Sequence, residues 1–241
     1  MTSSKHCRPP GRSSRSKHRA KARPPGQYGV VVAEHQRHPG GGFNPPEPTT
    51  KGGPDYGRFI DAVRSLQDHA RAADAPDEVI TEAADLLEKA SALLAPFDAD
   101  EWASPSGRRM DLPMRGNILT IPMQVRDGPL IGTDGRIHGQ ARFARFHLGR
   151  NGAVHGGALG MLFDSVLGLS ASVLTGNPRQ RTAYLKIDYR HVVPVETELR
   201  FDAGVDRVDG RKIFVSGRLT DGDQLLTEAD ALFVRLKPGQ P

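Results

Sequence analysis

His155-Gly156-Gly157 and, seven residues after Gly157, Asp164 are the residues of this chain whose types and spacing could do chemistry. A glycine pair lets another group come close to the backbone. The unpaired N–H groups at a helix start attract developing negative charge. A carboxylate in apolar surroundings is costly unless it is paired or used. Each feature alone has a structural explanation. The histidine could cap or pack, the glycines could make a turn, and the aspartate could bond a neighbouring backbone group. The combination is what marks a site.

The element that must position them runs from Asn151 to Leu174. It is apolar or small for about five helical turns, has no proline, and carries Asp164 as its one carboxylate. Amphipathic helices keep a polar face toward water. This segment has none, so a helix buried on nearly all sides is expected. Seven residues are two turns, so Gly157 and Asp164 share a face but lie roughly 10 Å apart along the axis. One small reacting group cannot touch both. Two such helices, antiparallel across a two-fold axis, would bring the aspartate of one chain near the glycine amides of the other. The spacing therefore points to a composite site between subunits.

The surrounding chain sets the frame. It has 241 residues and a net charge of +5, enough for one or two domains. Its single cysteine, Cys7, excludes an internal disulfide framework and points to a reducing compartment or indifference to redox; a cytoplasmic setting is expected. No Cys/His cluster has zinc-ligand spacing, so no metal and no cofactor are expected. The apolar helix is short, rich in Gly and Ser and interrupted by Asp164, so no membrane span is expected. Residues 1–55 hold ten Lys/Arg against three Asp/Glu, a net +7 that leaves −2 for the remainder. Pro9-Pro10, Pro24-Pro25, Gly40-Gly41-Gly42 and Pro45-Pro46 disfavour regular structure there, and a solvated basic tail is expected. The tail lacks aromatics interleaved for base stacking, so a nucleic-acid role is not expected.

Residues 56–96 carry two apolar stripes, one through Phe59, Ile60, Val63 and Leu66 and one from Val79 to Leu94. Asp74-Ala75-Pro76 breaks between them and Pro96 ends the second, which predicts a helical hairpin that must pack against something. Residues 97–114, around Trp102, are expected to be a surface linker. From residue 115 the period falls to two. Ile118–Ile121 should open a strand, Asp127-Gly128-Pro129 should turn, and Ala141, Phe143 and Leu148 should lie in a second extended stretch. Beyond the helix, strands are expected through Ala183–Tyr189, Leu199–Val205, Ile213–Leu219 and Leu226–Leu236. Asp209-Gly210 and Asp221-Gly222 mark tight turns. The expected class is α+β, with a four-strand antiparallel meander curled around one buried helix.

That order, with these residues, resembles the hotdog-fold thioesterases. Within them it is similar to the branch of phenylacetate-pathway thioesterases and of human thioesterase-superfamily members acting on long-chain acyl-CoA. The matching pieces are HGGALGMLFD (155–164), TAYLKIDY (182–189), GRKIFVSGRL (210–219) and EADALFVRL (228–236), within a span of residues 115–237. The resemblance implies a hotdog domain that hydrolyses acyl-CoA to free acid and CoA. It implies Gly156, with Gly157, as amide donors to the thioester oxygen, and Asp164 as general base or nucleophile. Thr182 would orient the water, or else be an ordinary strand threonine. His155 would support the loop by hydrogen bonds. Asn151 and Phe163 would contact substrate; some relatives carry an asparagine six residues before the histidine, whereas Asn151 lies four before His155. A homodimer or dimer of dimers is implied as the working unit. A non-catalytic acyl-CoA-binding hotdog protein is the alternative. A hydratase of the same fold would need an Asp and His pair that this pattern lacks.

Overall fold

A computed structural model describes residues 48–99, 103–125, 130–238 and 240. The basic tail up to residue 47, Trp102 and the Asp127-Gly128-Pro129 turn lie outside the described residues.

The helix expected from the apolar run is α3, Gly156–Thr175. His155 caps its start, its Nδ1 accepting from the Gly157 amide at 3.0 Å. Gly176 ends it at φ 65, the left-handed conformation in which its N–H turns back to the Ser172 and Val173 carbonyls. The hydroxyls of Ser165, Ser170 and Thr175 donate to carbonyls four residues earlier, which satisfies them inside an apolar helix.

Among the described residues six strands form one sheet, and every neighbouring pair is antiparallel. They are β1 (Met123–Val125), β2 (Ile137–Arg142), β3 (Gln180–Tyr189), β4 (Glu198–Asp209), β5 (Lys212–Asp221) and β6 (Gln224–Arg235). Their order is β1-β2-β4-β5-β6-β3. The inner face closes on α3, where Leu159, Leu162 and Leu167 meet Leu199, Ile213 and Leu219, all almost fully buried. Helix and sheet approach so closely that a Cβ added at Gly217 would lie 2.9 Å from Leu167 Cδ2. Among the described residues α3 alone is long and apolar enough to cross a membrane, and it is this core helix.

Three expectations change. First, the meander has three strands, not four. Gly210 and Gly222, at φ 55 and 54, make tight turns that pair β4 with β5 and β5 with β6. The longer connection after Tyr189 carries the chain across the sheet, so β3 pairs with β6 at the far edge. Secondly, Ile118–Ile121 is not a strand. The Asn117 side chain accepts from the Leu119 N–H at 2.9 Å, a local bond that competes with strand pairing, and β1 begins only at Met123. Thirdly, the second extended stretch stops at Arg142, because a 3₁₀ turn over Arg145–His147 bends the chain before Leu148. His147 Nδ1 accepts from the Ala144 N–H at 3.0 Å there, and burial holds the ring below its ordinary pKa, which keeps it neutral for that bond. Within β6, Leu232 and Val234 face away from the core. Ala229, Ala231 and Phe233 fill the inner face of β6.

The two expected helices are α1 (Tyr56–Ala72) and α2 (Asp77–Leu94), but only α1 docks. Ile60 is buried, Arg64 donates to the Asn117 and Thr120 carbonyls at 2.7 and 2.9 Å, and Asp68 accepts from the Phe146 N–H at 2.8 Å. None of the residues of α2 is buried. The expected surface linker is also tied down. Arg109 is only 4% exposed, pairs with both oxygens of Asp111, and donates to the Lys51 and Gly53 carbonyls.

Candidate active site

Helix α3 is not covered on all sides. Its buried stripe runs through Ala158, Leu162, Val166 and Ala171. The opposite side, through Gly157, Gly160, Asp164 and Gly168, is exposed or half-buried within one chain. Asp164 therefore stands on an open, small-residue face rather than in a closed apolar interior. The sequence suggested burial because that face carries no other charge.

Asp164 has a partner. Thr182 Oγ1 donates to Asp164 Oδ1 at 2.8 Å. Strand alternation alone would not aim Thr182 at the helix. Leu185 and Ile187 pack against the core, so simple period-two counting puts the even-numbered residues on the outer face. A β-bulge reverses the phase. Thr182 pairs with Phe233 and Tyr184 with Leu232, leaving Ala183 as the extra residue. The bulge turns Thr182 inward onto α3. The bond occupies one oxygen of Asp164 and leaves the other for a further donor.

At the helix start the two glycines differ. The Gly157 N–H is taken by the His155 ring at 3.0 Å. When neutral, that ring must carry its proton on Nε2. Gly156 supplies the first amide of the helix, and no acceptor among the described residues takes it. Of the two amides, Gly157 N–H is thus already bonded within the loop, whereas Gly156 N–H is open among the described residues. His155 supports the loop, as expected, through its ring and through its own N–H, which donates to the His147 carbonyl at 2.8 Å. The loop is pinned from three sides. Gly149 N–H bonds Ala153 O, Val154 N–H bonds Val193 O, and Arg71 of α1 reaches the Leu148 and Gly149 carbonyls at 3.4 Å.

Two sequence-chosen residues lie elsewhere. Phe163 is 1% exposed and packs in the core, on the opposite side of the helix from the open face that a substrate could reach. Asn151 takes the left-handed conformation at φ 55 in the turn before the helix, a backbone reason for asparagine there. One residue was missed. The Tyr189 hydroxyl lies 3.5 Å from the Gly156 carbonyl oxygen, and a Cβ added at Gly156 would meet it at 3.0 Å. The signal was available, since Tyr189 continues the helix-facing phase of Leu185 and Ile187 on β3.

Gly156 and Asp164 remain about two turns apart, roughly 12 Å along the axis, so one chain does not bring amide and carboxylate to one point. Among the described residues, no three His, Cys, Asp or Glu side chains gather where they could hold a metal.

Similarity to known proteins follows the same span. Residues 151–228 match the Thioesterase superfamily model. The chain is 37% identical over 92 residues to Acyl-coenzyme A thioesterase THEM4 of Xenopus laevis, covering 37% of this chain and 40% of that one. It is 34% identical over 120 residues to MIOREX complex component 3 of Saccharomyces cerevisiae, covering 48% and 43% respectively. The match thus spans less than half the length of either relative. The crystal structure of protein RHA08564, a thioesterase superfamily protein, superposes with a TM-score of 0.60 at 23% identity, over 78% of this chain and 97% of that one. That likeness supports the fold. The match to the Thioesterase superfamily is confined to residues 151–228, and the sheet curled around α3 is the hotdog fold.

Proposed function

We propose that this protein hydrolyses acyl-CoA thioesters to free acid and CoA, in the cytoplasm, as a dimer whose sites are shared between chains. The single observation that carries this reading is the Thr182–Asp164 hydrogen bond on the open face of α3. It presents one carboxylate oxygen, held in place, where a ligand could lie along the helix. The thioester oxygen would accept from the Gly156 N–H at the helix start, where the helix dipole also favours negative charge. Water attacks the carbonyl carbon as the free oxygen of Asp164 takes its proton. The oxyanion collapses and expels the CoA thiolate, which is then protonated. A thiolate leaves readily, so one base and one oxyanion donor suffice.

The roughly 12 Å between these groups in one helix requires the partner. Two features support such a partner. The uncovered stripe of α3 is small enough for a second helix to approach, and among the described residues β3 is an edge strand with no neighbour on its outer side. Pairing β3 edges across a two-fold axis would set the Asp164 of one chain toward the Gly156 amide of the other.

The direct test is thiol release from a panel of short, long and aryl acyl-CoAs. Turnover of at least one class is expected. Tight binding of acyl-CoA without thiol release across the panel would instead support a binding protein. Within this reading, Thr182→Val keeps the shape of the side chain and removes the hydroxyl. A hydrogen bond to a charged group that is open to water contributes at the low end of its usual range, so turnover should fall roughly 3- to 10-fold. KM and thermal stability should barely move. An unchanged kcat would make Thr182 an ordinary strand residue.

A further inference from the structure

Helix α2 presents a large apolar surface that its own chain leaves in water. Val79, Leu86 and Leu93 repeat every seven residues, as do Ile80, Leu87 and Leu94, with Ala83 and Ala90 between them. All six of the large side chains are exposed, Leu86 at 59% and Leu93 at 72%, and Phe97 just beyond is 79% exposed. A seven-residue apolar repeat keeps a seam facing another helix, and the alanines allow close approach. The partner is therefore helical.

The chain itself displays a matching surface. α1 docks by the side bearing Ile60 and Arg64, while Phe59 and Leu66, also seven residues apart, stay exposed on its other side. Arg58, beside Phe59, is already paired with Asp55 at 3.1 Å. Both stripes are apolar and exposed. They do not close on each other within one chain. The connection Ala73–Pro76 is extended at both ends, with ψ 130 at Ala73 and 153 at Pro76, and α2 buries nothing. Together the nine exposed large apolar residues of α1, α2 and Phe97 leave on the order of 800 Å² in water. That is about what one partner contributes to a standard interface, and more than the roughly 300–600 Å² patch usual on a monomer.

We propose that α2 is an exchanged arm. Its seven-residue stripe docks on the Phe59–Leu66 face of α1 in a second copy of this chain, and the second copy returns the contact. The arrangement is two-fold, covers both unpartnered stripes, and stands apart from the hydrolytic reading because it uses neither α3 nor β3.

Cross-linking in the full-length chain tests it, with the single native cysteine removed as Cys7→Ser. Leu66→Cys and Leu86→Cys, each near the middle of its helix, are placed on separately tagged chains, co-expressed and treated with a short bis-maleimide. The expected product has the mass of two chains and carries both tags. Adding Leu87→Glu and Leu93→Glu to the second chain should abolish it, with the far-ultraviolet circular dichroism spectrum and thermal midpoint unchanged. A chain carrying both cysteines supplies the opposing case. Linkage only within that chain would mean that α2 closes on its own α1 and would overturn the proposal. Absence of any inter-chain product with the single-cysteine pair would overturn it equally.

Discussion

Asp164→Asn should lower thiol release from acyl-CoA by about 10²-fold or more, the usual scale for losing a general base. The substitution isolates the chemistry. Asparagine has the same size, and its side-chain oxygen can still accept from Thr182 Oγ1, so the 2.8 Å bond that holds the residue can survive. What it cannot do is take a proton from water. Asp164 lies on the exposed side of α3, so the change leaves no polar group stranded in the core and the thermal midpoint should stay where it is. Acyl-CoA binding should also persist, which makes the effect one on kcat. Steady-state thiol release with the best substrate of the panel measures it. Hydrolysis within a few-fold of the unmodified protein would remove Asp164 from the reaction and leave its bond to Thr182 as a structural contact.

The second large effect is a recovery of activity from two dead proteins. Gly156→Val should by itself abolish most turnover. Even a Cβ at this position meets the Tyr189 hydroxyl at 3.0 Å, and the larger side chain crowds the Gly156 amide, which no acceptor among the described residues takes. The backbone at Gly156 is helical, so valine is not excluded by conformation and folding should be retained. If each site takes its amide from one chain and its carboxylate from the other, a heterodimer of Gly156→Val with Asp164→Asn holds one doubly damaged site and one intact site. Random exchange of equal amounts makes half of the dimers mixed, so activity should return to about a quarter of the unmodified level. The mixture is measured after verified subunit exchange, beside each variant alone. Failure to recover with heterodimers present would mean that each chain builds its own site, and the roughly 12 Å between Gly156 and Asp164 would then need another explanation.

Much of this was legible in the residues themselves. The unbroken apolar run after His155 determined a long central helix, because nothing between Val154 and Thr175 competes with helical bonding and Gly176 stops it. Alternation and the Asp-Gly pairs determined β4, β5 and β6, because local turn chemistry sets the register of a hairpin. The choice of Asp164 and the helix-opening glycines came from type and spacing alone. Tertiary structure decided the rest, wherever a partner distant in sequence competes with the local preference. The place of β3 beside β6 depends on which edge is left open once the hairpins have closed, which no local pattern records. The bulge at Ala183 overrides strand parity and turns Thr182 toward Asp164. His155 folds back on the Gly157 amide and so separates two glycines that look equivalent in sequence. The apolar stripes of α1 and α2 look alike as patterns, yet one helix docks and the other stays in water. Apolar periodicity states that a face must be covered; only packing determines by what.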